Sequence, residues 1–161
     1  VDPGTGATGF GVVEHDATGA FRLVECGVIR PTADAPLPAR LRQVHAALAD
    51  LCRRHQPDVL AVEEAFHARN ARTTLVLGQA RGVILLAGEE SGILIAEYSP
   101  ATVKKTVTGR GGALKPQVGF MVAQLLRLRT PPTPADAADG VAVALTHLLH
   151  GARRRALAAR R

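Results

Sequence analysis

Val59-Leu60-Ala61-Val62-Glu63-Glu64 is a run of four apolar residues that stops abruptly at two carboxylates. A run this short, with no polar residue at alternate positions, reads as a central strand covered on both faces. Glu63 then stands where that strand leaves the sheet. Upstream, apolar residues at Leu41, Val44, Leu48, Leu51 and Cys52 keep helical spacing and predict an amphipathic crossover helix over 38–52. Further back, Phe10 to His15 and Phe21 to Arg30 read as two strands of an antiparallel meander, joined by a turn containing Asp16 and Gly19. They follow a first strand that ends near Asp2. The chain opens at Val1 without a methionine, inside what reads as a strand end, so native residues are expected ahead of it.

Downstream, residues 72–90 predict a helix that is apolar on more than one face, with Gly78 and Gly82 one turn apart. Heavy burial or a subunit contact accounts for such a helix. A strand over 93–98 runs into Ser99-Pro100, an N-cap and first helical residue that start a short helix carrying Lys104 and Lys105. After the flexible stretch 109–112, Val118, Met121, Val122, Leu125 and Leu126 mark another helix. Pro131-Pro132-Thr133-Pro134 breaks the chain before a last helix with Val141, Leu145, Leu148 and Leu149 on one face. Three strands, a helix, a strand, a helix, a strand and further helices describe an α/β fold: a mixed five-stranded sheet flanked by helices on both faces. That is the RNase H-like order. It is expected to occupy residues 1–151, followed by a basic, flexible tail over 152–161.

The chain has 161 residues, 47% of them hydrophobic, which suits one domain with a substantial core. Cys26 and Cys52 lack metal-site or redox spacing and read as free, packed thiols of a cytoplasmic protein. The longest apolar run, 83–88, is far too short for a membrane span, and membrane partners are not expected. The net charge of +6 arises from 20 basic and 14 acidic residues, but five of the arginines lie in the last ten residues. Position is more informative than the total. Residues 65–88 contain Arg69, Arg72 and Arg81 and no acid, and residues 98–135 contain Lys104, Lys105, Arg110, Lys115, Arg127 and Arg129 and no acid. One-signed surfaces of this kind attract polyanions; ordinary solvated helix faces are the alternative.

Asp2, Glu63, Asp136 and Asp139 stand where a core-directed chain does not normally put charge. Each also has an ordinary reading: a turn with Pro3 and Gly4, a solvated strand end, and a capping box from Thr133 to Asp136 with a favourable helix dipole. In the expected fold the first and fourth strands are neighbours, bringing Asp2 beside Glu63, while the i, i+3 spacing puts Asp136 and Asp139 on one helix face over the same edge. Carboxylates so placed repel unless a cation joins them, and hard oxygen donors select Mg²⁺ or Mn²⁺. Two such ions activate water and stabilise the leaving oxygen of a phosphodiester.

The stretches DPGTGATGFGV (2–12), ECGVIR (25–30), AVEEAF (61–66), LGQARGV (77–83), EYSPATVKKTVTG (97–109), LKPQV (114–118) and DAADGVAVALTH (136–147) together resemble the RuvC family of Holliday junction resolvases, in family order. The resemblance covers residues 2–150. It implies a homodimeric endonuclease that makes paired symmetric nicks in four-way DNA junctions during recombination and repair, with RuvA and RuvB as partners. It implies that Asp2, Glu63, Asp136 and Asp139 bind the metals, two Mg²⁺ per site with Mn²⁺ substituting. Some relatives carry His at the position of Asp136. Lys104 and Lys115 are implied at the scissile-strand phosphates, and Phe66 as an aromatic wedge at the junction centre. From its chemistry alone Phe66 reads as a core residue before a wedge, and only the resemblance reverses that order. His67, Arg69, Asn70 and Arg72 follow on an expected exposed loop and, with Lys105 and Arg110, are candidate DNA contacts.

Other functions remain on the same residues. Asp2-Pro3-Gly4-Thr5-Gly6 also resembles the phosphate loop of actin and sugar-kinase folds, although those need a second loop that is not found here. A non-catalytic junction-binding module would keep the basic face without the four carboxylates. A relative acting on RNA would use the same metals.

Overall fold

The computed structural model describes residues 1–4, 6–15, 19–64 and 70–158, with side chains described as far as residue 151. Its strands are β1 (Thr8–His15), β2 (Phe21–Ile29), β3 (Val59–Glu63) and β4 (Leu94–Tyr98). Its helices are α1 (Leu37–His55), α2 (Ala71–Glu90), α3 (Pro100–Thr108), α4 (Lys115–Leu125) and α5 (Ala135–Ala158). Element order agrees with the sequence periodicity, and the caps explain several boundaries. The Asn70 side chain accepts a hydrogen bond from the Thr73 amide at 2.9 Å at the start of α2. Ser99 accepts from the Thr102 amide at 3.2 Å at the start of α3, with Pro100 in the first turn. The last helix continues without a break to Ala158, so residues 152–158 of the arginine-rich end extend α5.

The expected five-stranded sheet is not formed. Among the described residues there are four strands in two pairs: β1 with β2, antiparallel, and β3 with β4, parallel. Val1 and Asp2 stand between the pairs. The Val1 nitrogen donates to the Ala61 carbonyl at 2.7 Å, and the Glu63 amide donates to the Val1 carbonyl at 2.9 Å. On the other side Asp2 and Gly9 exchange amide hydrogen bonds at 2.9 and 3.0 Å. Where the sequence predicts a further strand, Val1 and Asp2 form a bridge that bonds to both neighbours. Beyond them β1 and β3 part around a cleft of about 550 Å³ lined by Phe10, Leu48, Leu60 and His147.

Side chains of β3 alternate between two cores, as a strand covered on both faces must. Leu60 and Val62 pack with Val44 and Leu48 of α1 and Ile84 of α2. Ala61 packs with Val103 of α3, Val122 of α4 and Val141 and Leu145 of α5. Helices therefore cover both faces. Glu63, two residues after Ala61, faces the α3–α5 side, which is the side that carries the remaining carboxylates.

Candidate active site

Backbone contact between β1 and α5 builds the site. A Cβ on Gly9 would lie 1.8 Å from the Asp136 carbonyl oxygen, and one on Gly140 would lie 2.5 Å from the Phe10 amide nitrogen. Glycine at both positions lets the helix press onto the strand with no side chain between them. Since Gly9 is bonded to Asp2, this approach brings Asp136 and Asp139 to the residue that also adjoins Glu63. Sequence reading located the four carboxylates but missed the glycines that assemble them. The signal was present as Gly9 and Gly11 inside a strand and Gly140 directly after Asp139.

The basic residues enter from the next two helices. Glu63 is in register with Tyr98 at the end of β4, so α3, which starts at Pro100, delivers Lys104 close enough for its charge to act on Glu63. Lys115 opens α4, and its Nζ lies 2.6 Å from Asp139 Oδ2 and 3.7 Å from Asp136 Oδ1. The Asp139 side chain is 16% exposed and that of Asp136 is 43% exposed, so the ammonium caps a deep carboxylate from the rim. The hydrogen bond to Asp139 raises the pKa of Lys115 and keeps it charged.

Among the described residues, no side-chain cation is hydrogen-bonded to Asp2 or Glu63 in this way. Burial, reinforced by the charge of Asp139, pushes Asp2 up to about 6. Burial, then Asp2 and Asp139, pushes Glu63 up to about 7. Two partly buried acids that disfavour their own ionisation mark a place that takes up positive charge. As they stand, no three carboxylate, imidazole or thiolate side chains among the described residues converge tightly enough to chelate an ion. Asp139 is engaged by Lys115 instead. A donor set of carboxylate oxygens only nevertheless fits the chemistry of a hard divalent cation; Asp139 lies deep and Asp136 at the rim.

The other predicted residues divide. Arg72 lies exposed in the first turn of α2, Lys105 is exposed on α3, and Arg110 is exposed in the loop after it. Asn70 is taken up by capping α2. Phe66, His67 and Arg69 fall outside the described residues. A further pair on the active-site face, absent from the sequence reading, is Tyr98 Oη with His147 Nδ1 at 2.8 Å, which ties the end of β4 to α5.

Known proteins resemble this one across nearly the whole chain. The family model described as crossover junction endodeoxyribonuclease RuvC matches residues 1–147. The RuvC of Azorhizobium caulinodans is 49% identical over 150 residues, 93% of this chain and 88% of the relative. That of Pelotomaculum thermopropionicum is 47% identical over 93% of this chain and 91% of its own. Among solved structures, Thermus thermophilus RuvC superposes with a TM-score of 0.85 at 34% identity, covering 94% of this chain and 93% of that one. T. thermophilus RuvC in complex with Holliday junction substrate superposes at 0.84 with 31% identity, covering 94% and 92%. With the family model matching residues 1–147 and relatives nearly half identical along more than nine-tenths of its length, the chain belongs to the RuvC family of crossover junction endodeoxyribonucleases.

Proposed function

We propose that the carboxylate groove at the junction of β3, β1 and α5 is where this Holliday junction resolvase hydrolyses phosphodiesters, using two Mg²⁺ ions for which Mn²⁺ substitutes. The observation that carries the reading is that Asp2, Glu63 and Asp139 lie within electrostatic reach of one another, with Lys104 acting on Glu63 and Lys115 on Asp139. Divalent ions bound there supply Lewis acidity and a water nucleophile for in-line displacement. Asp2, Glu63 and Asp139 hold the charge, with Asp136 completing the set from its exposed position. Lys115 and Lys104 draw the scissile phosphate to the groove and offset charge developing on it. Lys115 has a second role when no metal is bound: it neutralises Asp139 and limits the repulsion among the acids.

A junction with two-fold symmetry, cut at opposed points, calls for two equivalent groups of this kind. The homodimer is proposed to form through α2. Leu75 and Leu86 on that helix are 68% and 50% exposed, and nothing lies within 4 Å of a Cβ built on Gly78 or Gly82. Small residues beside exposed leucines allow a second copy of the helix to approach closely. Arg72, Lys105 and Arg110, with Phe66, His67, Arg69 and Asn70, are proposed DNA contacts, Phe66 as the wedge at the centre. RuvA and RuvB are the proposed partner proteins. No helix among the described residues is long and apolar enough to cross a membrane, and a DNA enzyme of this kind is proposed to work in the cytoplasm.

The test is incubation of the protein with a synthetic four-way junction and with a linear duplex of the same sequence, each with Mg²⁺, Mn²⁺ or a chelator. Paired symmetric nicks in the junction alone, abolished by chelator, are expected. Equal cutting of the duplex, or cutting in chelator, would overturn the reading.

A further inference from the structure

Of the aromatic residues whose side chains are described, one is badly placed for packing: Phe120, on α4, is 57% exposed. The chain has only four phenylalanines, one tyrosine and no tryptophan, so a ring left in water is an unusual use of a scarce residue. Phe120 is not isolated. With Pro116, Gln117 and Met121 it forms one side of a shallow concavity of about 420 Å³, and Arg110 and Thr108 at the end of α3 form the other. The Gln117 side-chain oxygen accepts from the Leu114 amide at 2.9 Å, leaving the amide nitrogen as its remaining donor.

Three features point to one occupant. The floor is an aromatic face with aliphatic neighbours, which suits a flat heterocycle. The rim carries the Arg110 guanidinium and the Gln117 carboxamide nitrogen, which suit a phosphate and the edge of that ring, while the Thr108 hydroxyl is engaged with the Lys104 carbonyl at 2.8 Å. The surrounding segment, residues 98–135, contains six basic residues and no acid, so an anionic ligand is favoured over an acid-repelled or purely apolar one. Location adds direction. Phe120 lies five residues after Lys115, about 7.5 Å along the helix, and the Lys115 ammonium sits on Asp139. Pro116 and Gln117, the residues directly after Lys115, line the concavity, so it adjoins the start of the same helix.

We propose that Phe120, Arg110 and Gln117 form a nucleobase subsite, in which a base of the cleaved strand near the scissile phosphate stacks on the Phe120 ring while Arg110 takes a neighbouring phosphate. The inference rests on the resolvase reading above. Bases near a four-way crossover are less constrained by stacking than those in a duplex, so withdrawal of one onto an aromatic ring is less costly there. The subsite contributes to binding and register and takes no part in the chemical step.

The absence of native tryptophan supplies the experiment. F120W introduces the only tryptophan, and in an Asp139→Asn background the junction is expected to be bound and left uncut. Titration with a four-way junction should quench the tryptophan emission as a base stacks on it. In the otherwise unaltered enzyme, F120A should raise KM for the junction about five-fold or more with kcat unchanged, F120W should restore KM, and neither should alter the salt dependence of binding. R110A should lower the slope of log affinity against log salt by about one. Unchanged emission on a saturated junction, or a wild-type KM for F120A, removes DNA as the occupant and overturns the proposal. Failure of the unaltered protein to bind or cut junctions at all would instead overturn the resolvase reading.

Discussion

Two groups of carboxylates in this protein have opposite electrostatic characters. Glu25 on β2 is bonded to Arg54 at 2.8 Å and to His55 at 2.6 Å, and Arg54 also holds Asp50 at 2.9 Å. The hydrogen bonds from Arg54 and His55 hold Glu25 below its ordinary pKa. Asp2 and Glu63, by contrast, are partly buried, face other acids and are pushed up to about 6 and about 7. The first group is complete as it stands. The second holds acids that burial and one another's charge leave uncompensated, and for that reason it is the group proposed to take a cation. Charge count alone does not separate them, because both groups combine acids with bases.

The sharpest way to break this comparison is to neutralise one acid in each group. Asp139→Asn, Glu63→Gln and Asp2→Asn should each reduce junction cleavage by about a hundred-fold or more, while junction binding persists and metal-free stability is unchanged or improved. Asp136→Asn should be milder, consistent with its place at the rim. Cleavage assays with gel-shift binding on the same samples check this; Asp139→Asn cutting at the wild-type rate would sink the metal site.

Second in size is Gly140→Ala. Its Cβ would meet the backbone of Gly9 and Phe10 at 2.5 to 2.6 Å. Backbone cannot yield as a side-chain tip can, so α5 must move away from β1, at a stability cost of about 1–3 kcal/mol and with loss of cleavage as Asp139 departs from Asp2. Denaturant melts and activity should fall together. Normal activity would mean that the helix–strand approach does not set the site.

The pH dependence of metal-free stability should differ in sign between the two groups. Asp2 and Glu63 keep their protons in the folded state at pH values where the unfolded chain has released them. Their contribution to stability therefore falls as pH rises from about 4 to about 7 and is flat above. Glu25 behaves oppositely: its contribution is present above the ordinary glutamate value and is lost as pH falls through its lowered one. Thermal melts of the unaltered protein and of a Glu63→Gln variant, in chelator from pH 4 to 8, should show the variant losing less stability as pH rises. Added Mg²⁺ should then stabilise the unaltered protein more at pH 8 than at pH 5. The smallest effect belongs to Glu25→Gln: about 1 kcal/mol or less, as for other partly exposed ion pairs, with full cleavage.

The sequence by itself determined the order of elements, because helix and strand periodicities and the Ser99-Pro100 start are local properties of the chain. It also identified the four carboxylates and the two lysines as residue types, since charge at the end of an apolar run is legible without coordinates. It overreached on the sheet. A strand ending at Asp2 was expected to complete five; among the described residues Val1 and Asp2 form a bridge between two pairs instead, a matter of which distant backbones pair.

Tertiary structure alone decided which acids are deep and which lie at the rim. Asp136 and Asp139 have the same residue type, helix and face, but the approach of α5 to β1 buries one more than the other. It also decided that Lys115 rests on Asp139, that Asn70 spends its side chain on a helix cap, and that Phe120 stays in water. Each of these depends on distances between segments far apart in the chain, and such distances follow from packing. Glycines at 9 and 140 allow that packing, but their role appears only when the two backbones are seen to touch.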